Sequence, residues 1–296
     1  MTHDTHHHLA AEAADLGLHA PLPALRRVTT PTPDGRISAL AWHDEPARVV
    51  LLHGAALNAH TWDGTLLHWD VPALAVDLPG HGESDWRTDG DYRPTTLAPA
   101  LLDALRTWQS EGLLAERPVL VGQSLGGLTA VRVAAGLPSR RVVLVDILPV
   151  PPGAAVEVAQ FLAGPTSFAS REEIVERALA FGLGGSRSRL ARAVELNTRI
   201  APDGSVVWKH HLATLGPAAI PDLDVPGSWA AIGALESPLD LVLASRSLVG
   251  QASVDELARL RPQARVLRVG AGHNVQEDAP RALAEVLVQV AGADVS

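Results

Sequence analysis

Two short runs hold the residue types that nucleophilic catalysis needs. The first is Gly122-Gln123-Ser124-Leu125-Gly126, which follows the apolar run Val119–Val121 and leads into a helix-forming stretch. A serine on a tight strand-to-helix turn, flanked by glycines, stands out at the carboxyl edge of a sheet as a nucleophile elbow. The Leu125 N–H then points from a helix start toward developing negative charge. Glycine supplies 25 of the 296 residues, so the bare pattern also fits a glycine-rich turn with a solvated serine. The second run shifts that balance. His273, in Gly270-Ala-Gly-His273, follows the expected strand Arg265–Val269 in a glycine-rich loop and reaches the same sheet edge. A serine hydroxyl is a poor nucleophile until a base takes its proton. An imidazole, with an ordinary pKa of about 6.5, accepts and returns a proton at neutral pH.

A third member, a carboxylate, would orient that imidazole. The strand Leu239–Ala244 runs into Ser245-Arg-Ser247, which offers no acid. Asp146, at the end of the strand Arg141–Val145, is therefore the candidate, with a turn-capping aspartate as its plainer reading. Asp255 is the fallback, although an aspartate in a first helical turn is expected there on charge grounds alone. A second oxyanion donor would be the N–H of Ala55, after the strand Arg48–His53 and Gly54, while His53 and Gly54 shape the turn. Asn58 reads as a helix N-cap. The loop Asp77-Leu-Pro-Gly80-His-Gly82-Glu-Ser84 reads as a rigid turn, with His81 and Trp86 near the edge. His210 and His211 read as solvated or rim residues.

Composition excludes other chemistries. The formal net charge is −9 and Lys209 is the only lysine, so nucleic acid is not an expected partner and no lysine-bearing phosphate loop exists. There is no cysteine, which rules out thiol nucleophiles and disulfides. No metal site is expected. Met1–His8 lacks a signal-peptide pattern and no apolar run reaches spanning length, so a cytoplasmic protein off the membrane is expected. The oligomeric state stays open, a homodimer included.

Apolar runs of strand length alternate with helical patterns, which implies a mostly parallel sheet with helices on both faces. Residues 1–25 read as a tail, residues 26–148 and 227–296 as the core. Between them, 149–226 reads as a helical insertion, with helices near Ala154–Ala163, Arg171–Phe181 and Arg187–Arg199 and no convincing buried strand.

Together, Leu51-Leu-His-Gly54, Asn58-Ala-His-Thr-Trp62, Asp77–Ser84, Gly122–Gly126 and Gly272-His273 resemble the α/β-hydrolases from Arg26 to Val290. The resemblance implies an eight-stranded sheet, a helical cap over 149–226, a Ser124–His273–acid site and no cofactor. The family usually carries an acid where this chain has Ser247; some branches take it from the preceding strand end, where Asp146 lies. The expected activity is cleavage of an ester or lactone of a small molecule, with C–C bond hydrolysis or a lyase/cyclase reaction as the alternative. Trp62, Phe161, Phe168, Phe181 and Trp208 are candidate apolar walls for a hydrophobic or aromatic substrate, or else residues of a small core within the cap.

Overall fold

The computed structural model describes residues 2–150, 164–180, 187–216 and 223–295. Its framework is an eight-stranded sheet ordered β1-β2-β4-β3-β5-β6-β10-β11. The strands are β1 (Leu25–Thr32), β2 (Gly35–Trp42), β3 (Ala47–Leu52), β4 (Ala73–Asp77), β5 (Leu114–Gln123), β6 (Arg141–Val145), β10 (Leu239–Ala244) and β11 (Arg265–Val269). β2 runs antiparallel to both β1 and β4, and the remaining pairs are parallel.

Strand periodicity divides the core in two. Side chains alternate across a strand, so Val50, Leu52, Leu120, Leu144 and Leu241 face one layer. There they meet Leu101 and Leu105 of α3 (Pro94–Ser110) and Leu128 of α4 (Leu125–Ala134). Val49, Leu51, Val121, Val143 and Val242 face the other, with Leu66 of α2 (Asp63–Trp69) and Leu283 and Leu287 of the C-terminal helix Pro280–Val295. The central strands are apolar on both faces because each face is covered. The parallel register brings the ends of β3, β5, β6 and β10 to one edge.

Three elements depart from the sequence expectations. Residues 2–15, read as part of a tail, form helix α1, whose Leu9 and Ala13 are buried. The helix expected over Asn58–Trp69 divides into a 3₁₀ turn, Ala59–Trp62, and α2. The insertion is not purely helical. It contains α5 (Arg171–Ala180), α6 (Arg187–Asn197) and an antiparallel sheet of β7 (Ser167–Phe168), β8 (Thr198–Ile200) and β9 (Val206–Trp208). Strands of two or three residues are too short to show a period in sequence. The helix expected over Ala154–Ala163 lies outside the described residues. No helix among the described residues is long and apolar enough to cross a membrane.

Candidate active site

Ser124 joins β5 to α4 with φ 50° and ψ −121°. A positive φ is strained for a residue with a Cβ, and such strain persists only where the surroundings enforce it. Here the surroundings are glycines. A Cβ on Gly126 would collide with the carbonyls of Leu52 and His53, and one on Gly122 with the backbone of Gly126. The helix start therefore lies directly against the end of β3. The Ser124 carbonyl accepts from Gly127 N–H at 2.9 Å, which closes the first turn.

Asp146 follows β6 with φ 51°. Its N–H donates to the Val242 carbonyl at 2.7 Å. Its fully buried carboxylate accepts from Ala244 N–H at 2.8 Å and lies 2.8 Å from His273 Nδ1. A carboxylate at that distance fixes the Nδ1–H tautomer and leaves the Nε2 lone pair available. The end of β10 thus holds the acid in place without supplying it. Ser247, at the position where the family usually carries its acid, accepts from Val249 N–H in a local turn. The fallback Asp255 is exposed and bonds to Gln251 of its own helix, so it does not serve His273.

Gln123 links the elbow to the histidine loop. Its Nε2 donates to the His273 carbonyl at 3.1 Å. Among the described residues no hydrogen bond joins Ser124 to the imidazole; hydroxyl–imidazole contacts at catalytic centres are often long before substrate tightens them.

A Cβ built on Gly54 would stand 3.2 Å from Ser124 Cβ and collide with Gln123 Oε1. The turn carrying Ala55 therefore abuts the elbow. Neither Ala55 N–H nor Leu125 N–H has an acceptor among the described residues. His53 shapes this turn: its Nε2 accepts from Leu78 N–H at 3.0 Å, so Nδ1 carries the hydrogen and donates to the Gly54 carbonyl at 2.7 Å. Burial lowers its pKa, against the pull of Asp77. Asp77 is structural as expected, accepting from Ala59 N–H, Glu83 N–H and Arg27 Nη1.

Of the two histidines expected to be solvated or on the rim, His210 is buried and His211 is half-buried. His210 is 2% exposed and its pKa is pushed down to about 3, first by burial and then by His53. It lies parallel to His81 at 6.2 Å. His81 is itself fully buried, with a pKa held well below the ordinary value by burial and then by His53 and His210. His211 Nδ1 meets Tyr92 Oη at 2.7 Å under the Trp86 ring, which stacks on the imidazole at 4.5 Å.

The five candidate wall residues separate. Trp62 is fully buried in the layer with α2 and the C-terminal helix, so it lines no open pocket. Phe168 packs a small core within the insertion with Ile174, Val175, Val194 and Val206, with its ring edge-on to Trp208 at 5.7 Å. Both rings fill apolar layers that would otherwise hold voids. Trp208 is half-buried beside His210. Phe161 and Phe181 lie outside the described residues.

Three residues at the site carried no sequence signal. Gln123 occupies a position where the motif accepts any residue. Asn197 and Arg192 contact the core from α6, 139 and 129 residues along the chain from their partners Asn58 and Asp63.

The strained strand-to-helix turn at Ser124 and the sheet order are those of an α/β hydrolase. The model of the alpha/beta hydrolase family matches residues 49–286, and the chain belongs to that family. Among individual proteins it is similar to Esterase Rv0045c of Mycobacterium tuberculosis, with 36% identity over 94% of this chain and 93% of that one. A solved structure of that esterase matches with a TM-score of 0.81, covering 95% of this chain and 96% of that chain. A pimeloyl-[acyl-carrier protein] methyl ester esterase of Aeromonas hydrophila is 33% identical over 47% of this chain and 54% of its own length. The thioesterase domain from the curacin biosynthetic pathway shares the fold at 19% identity and a TM-score of 0.73, covering 90% of this chain and 98% of that one.

Proposed function

We propose that this α/β hydrolase is a serine esterase that cleaves a small-molecule carboxylic ester or lactone through an acyl-enzyme on Ser124. The observation that carries the reading is the 2.8 Å contact between His273 Nδ1 and the buried Asp146 carboxylate, at the edge where Ser124 is held in its strained turn. The full-length similarity to a named esterase supports the bond type.

In this mechanism His273 Nε2 takes the Ser124 proton as Oγ attacks the carbonyl carbon. Asp146 keeps the ring in the Nδ1–H tautomer and stabilises the imidazolium. The Ala55 and Leu125 N–H groups bind the tetrahedral oxyanion. The imidazolium returns its proton to the leaving alkoxide. Water, deprotonated by the same nitrogen, then releases the acid. Half-buried Trp208, packed against His210 at 5.3 Å, supports an apolar or aromatic group on the substrate.

A panel of p-nitrophenyl esters and aromatic lactones tests this. Ser124→Ala should lower kcat by about 10⁴-fold or more. A fluorophosphonate should label the wild type and not the variant. Ester turnover surviving in Ser124→Ala would overturn the mechanism.

A further inference from the structure

The loop that carries Ala55 ends at Asn58, which makes two hydrogen bonds with opposite ends of one amide. Its Oδ1 accepts from His60 N–H at 2.8 Å and caps the 3₁₀ turn. That bond fixes which end of the amide is oxygen, so Nδ2 faces outward and donates to Asn197 Oδ1 at 2.6 Å. Asn58 is 4% exposed, and a buried amide N–H left without an acceptor is costly. Asn197 is the last residue of α6, and its own carbonyl is held by Lys209 N–H at 2.8 Å. The acceptor is thus fixed on the cap and the donor on the loop.

The same helix reaches the other side of the reaction centre. Arg189 Nη1 donates to the Glu277 carbonyl, four residues beyond His273, at 3.2 Å. Arg192 Nη2 donates to Asp63 Oδ2 at 2.6 Å, and the same oxygen holds His60 Nδ1 at 2.9 Å. One cap helix therefore touches both the segment carrying the oxyanion donor and the segment carrying the base.

We infer that Asn197 is a positioning residue that holds the Gly54–Asn58 loop in its reactive shape, so that the cap sets turnover in the core and does more than enclose substrate. This rests on the assignment of Ala55 N–H as an oxyanion donor. A donor displaced by a few tenths of an ångström binds the developing charge less well, while ground-state contacts elsewhere persist.

The test compares Asn197→Leu, Asn197→Asp and Asn58→Ser, with kcat expressed per Ser124 titrated by the fluorophosphonate, so that misfolded protein does not count. Leu removes the acceptor, Asp keeps an oxygen in the same place, and Ser at 58 keeps the cap toward His60 but cannot reach Asn197. Asn197→Leu and Asn58→Ser should each lower kcat about tenfold with KM within about twofold. Asn197→Asp should stay within about threefold of wild type. The inference is overturned if Asn197→Leu keeps kcat within twofold, if Asp loses as much as Leu, or if only KM changes. Failure of the wild type to be labelled would instead sink the serine mechanism itself.

Discussion

The proposed reaction centre and the insertion that follows β6 are held in place by different means. At the centre, main-chain geometry does the positioning. Ser124 and Asp146 both sit at positive φ, and glycines 54, 122 and 126 admit contacts that any Cβ would block. In the cap, side chains do the positioning. Asn197 meets Asn58, Arg192 spans Glu12 and Asp63, Lys209 pairs with Glu83, and Trp86 donates its indole N–H to the Lys209 carbonyl. Backbone positioning leaves a short motif, because only certain residues permit the conformation. Side-chain positioning leaves isolated asparagines and arginines that look like any others. The difference teaches that reaction type and substrate choice are written with different legibility in one chain.

That contrast can be broken at several points. The largest expected effect is at the acid: Asp146→Asn keeps the volume but accepts less well from His273 Nδ1. It should reduce kcat for esters on the order of 10⁴-fold while thermal unfolding shows a folded protein. Near-normal turnover would place the acid elsewhere.

Next is the half-buried Arg192 of the insertion. Arg192→Met leaves Glu12 and Asp63, which are 10% and 0% exposed at their side chains, without their shared cation. Breaking such a pair should cost about 3 kcal/mol of unfolding free energy, read by denaturant titration. A change below about 0.5 kcal/mol would put this contact in the class of surface pairs.

The last effect concerns acidity. His53, His81 and His210 have folded pKa values below their unfolded ones, so the unfolded chain binds more protons in acid. Their stabilising contribution is complete above about pH 6.5 and declines as pH falls toward the folded values, about 3 for His210. Each contributes a slope of up to about 1.4 kcal/mol per pH unit in that window. Chemical denaturation at pH 7.5 and 5 should therefore show lower stability at pH 5. Equal stability would mean that these rings are not held neutral, and it would blur the division between core and cap where His81 meets His210.

The residues that were legible in sequence are those constrained by backbone or by strand periodicity. Val49–Leu52 and Val119–Val121 are continuous apolar runs because both faces of the sheet are covered. Ser124 and Asp146 follow two such runs and His273 follows the edge strand β11, and the parallel pairing brings all three to one edge. What stayed hidden has physical reasons. Helix α1 opens with a histidine-rich run that carries little apolar signal, and it folds back because Leu9 finds an apolar layer to enter. The cap strands are too short for alternation to register. Trp62 and Phe168 were legible as apolar rings, but nothing in a single ring says whether it faces a cavity or a core. His210 looked like a polar neighbour of His211, yet Ala213 N–H caps on its Nδ1 and draws it inside.

With the carboxylate proposed at the end of β6, the connection between β10 and the helix Gln251–Leu260 is not called on for a reacting group. Ser247 there does nothing more than close a local turn onto Val249. Val249 anchors that stretch in the core while Leu248 beside it is exposed, so a short reporter peptide spliced at Leu248 would ride on the protein without touching Ser124, His273 or Asp146, leaving a handle for immobilisation.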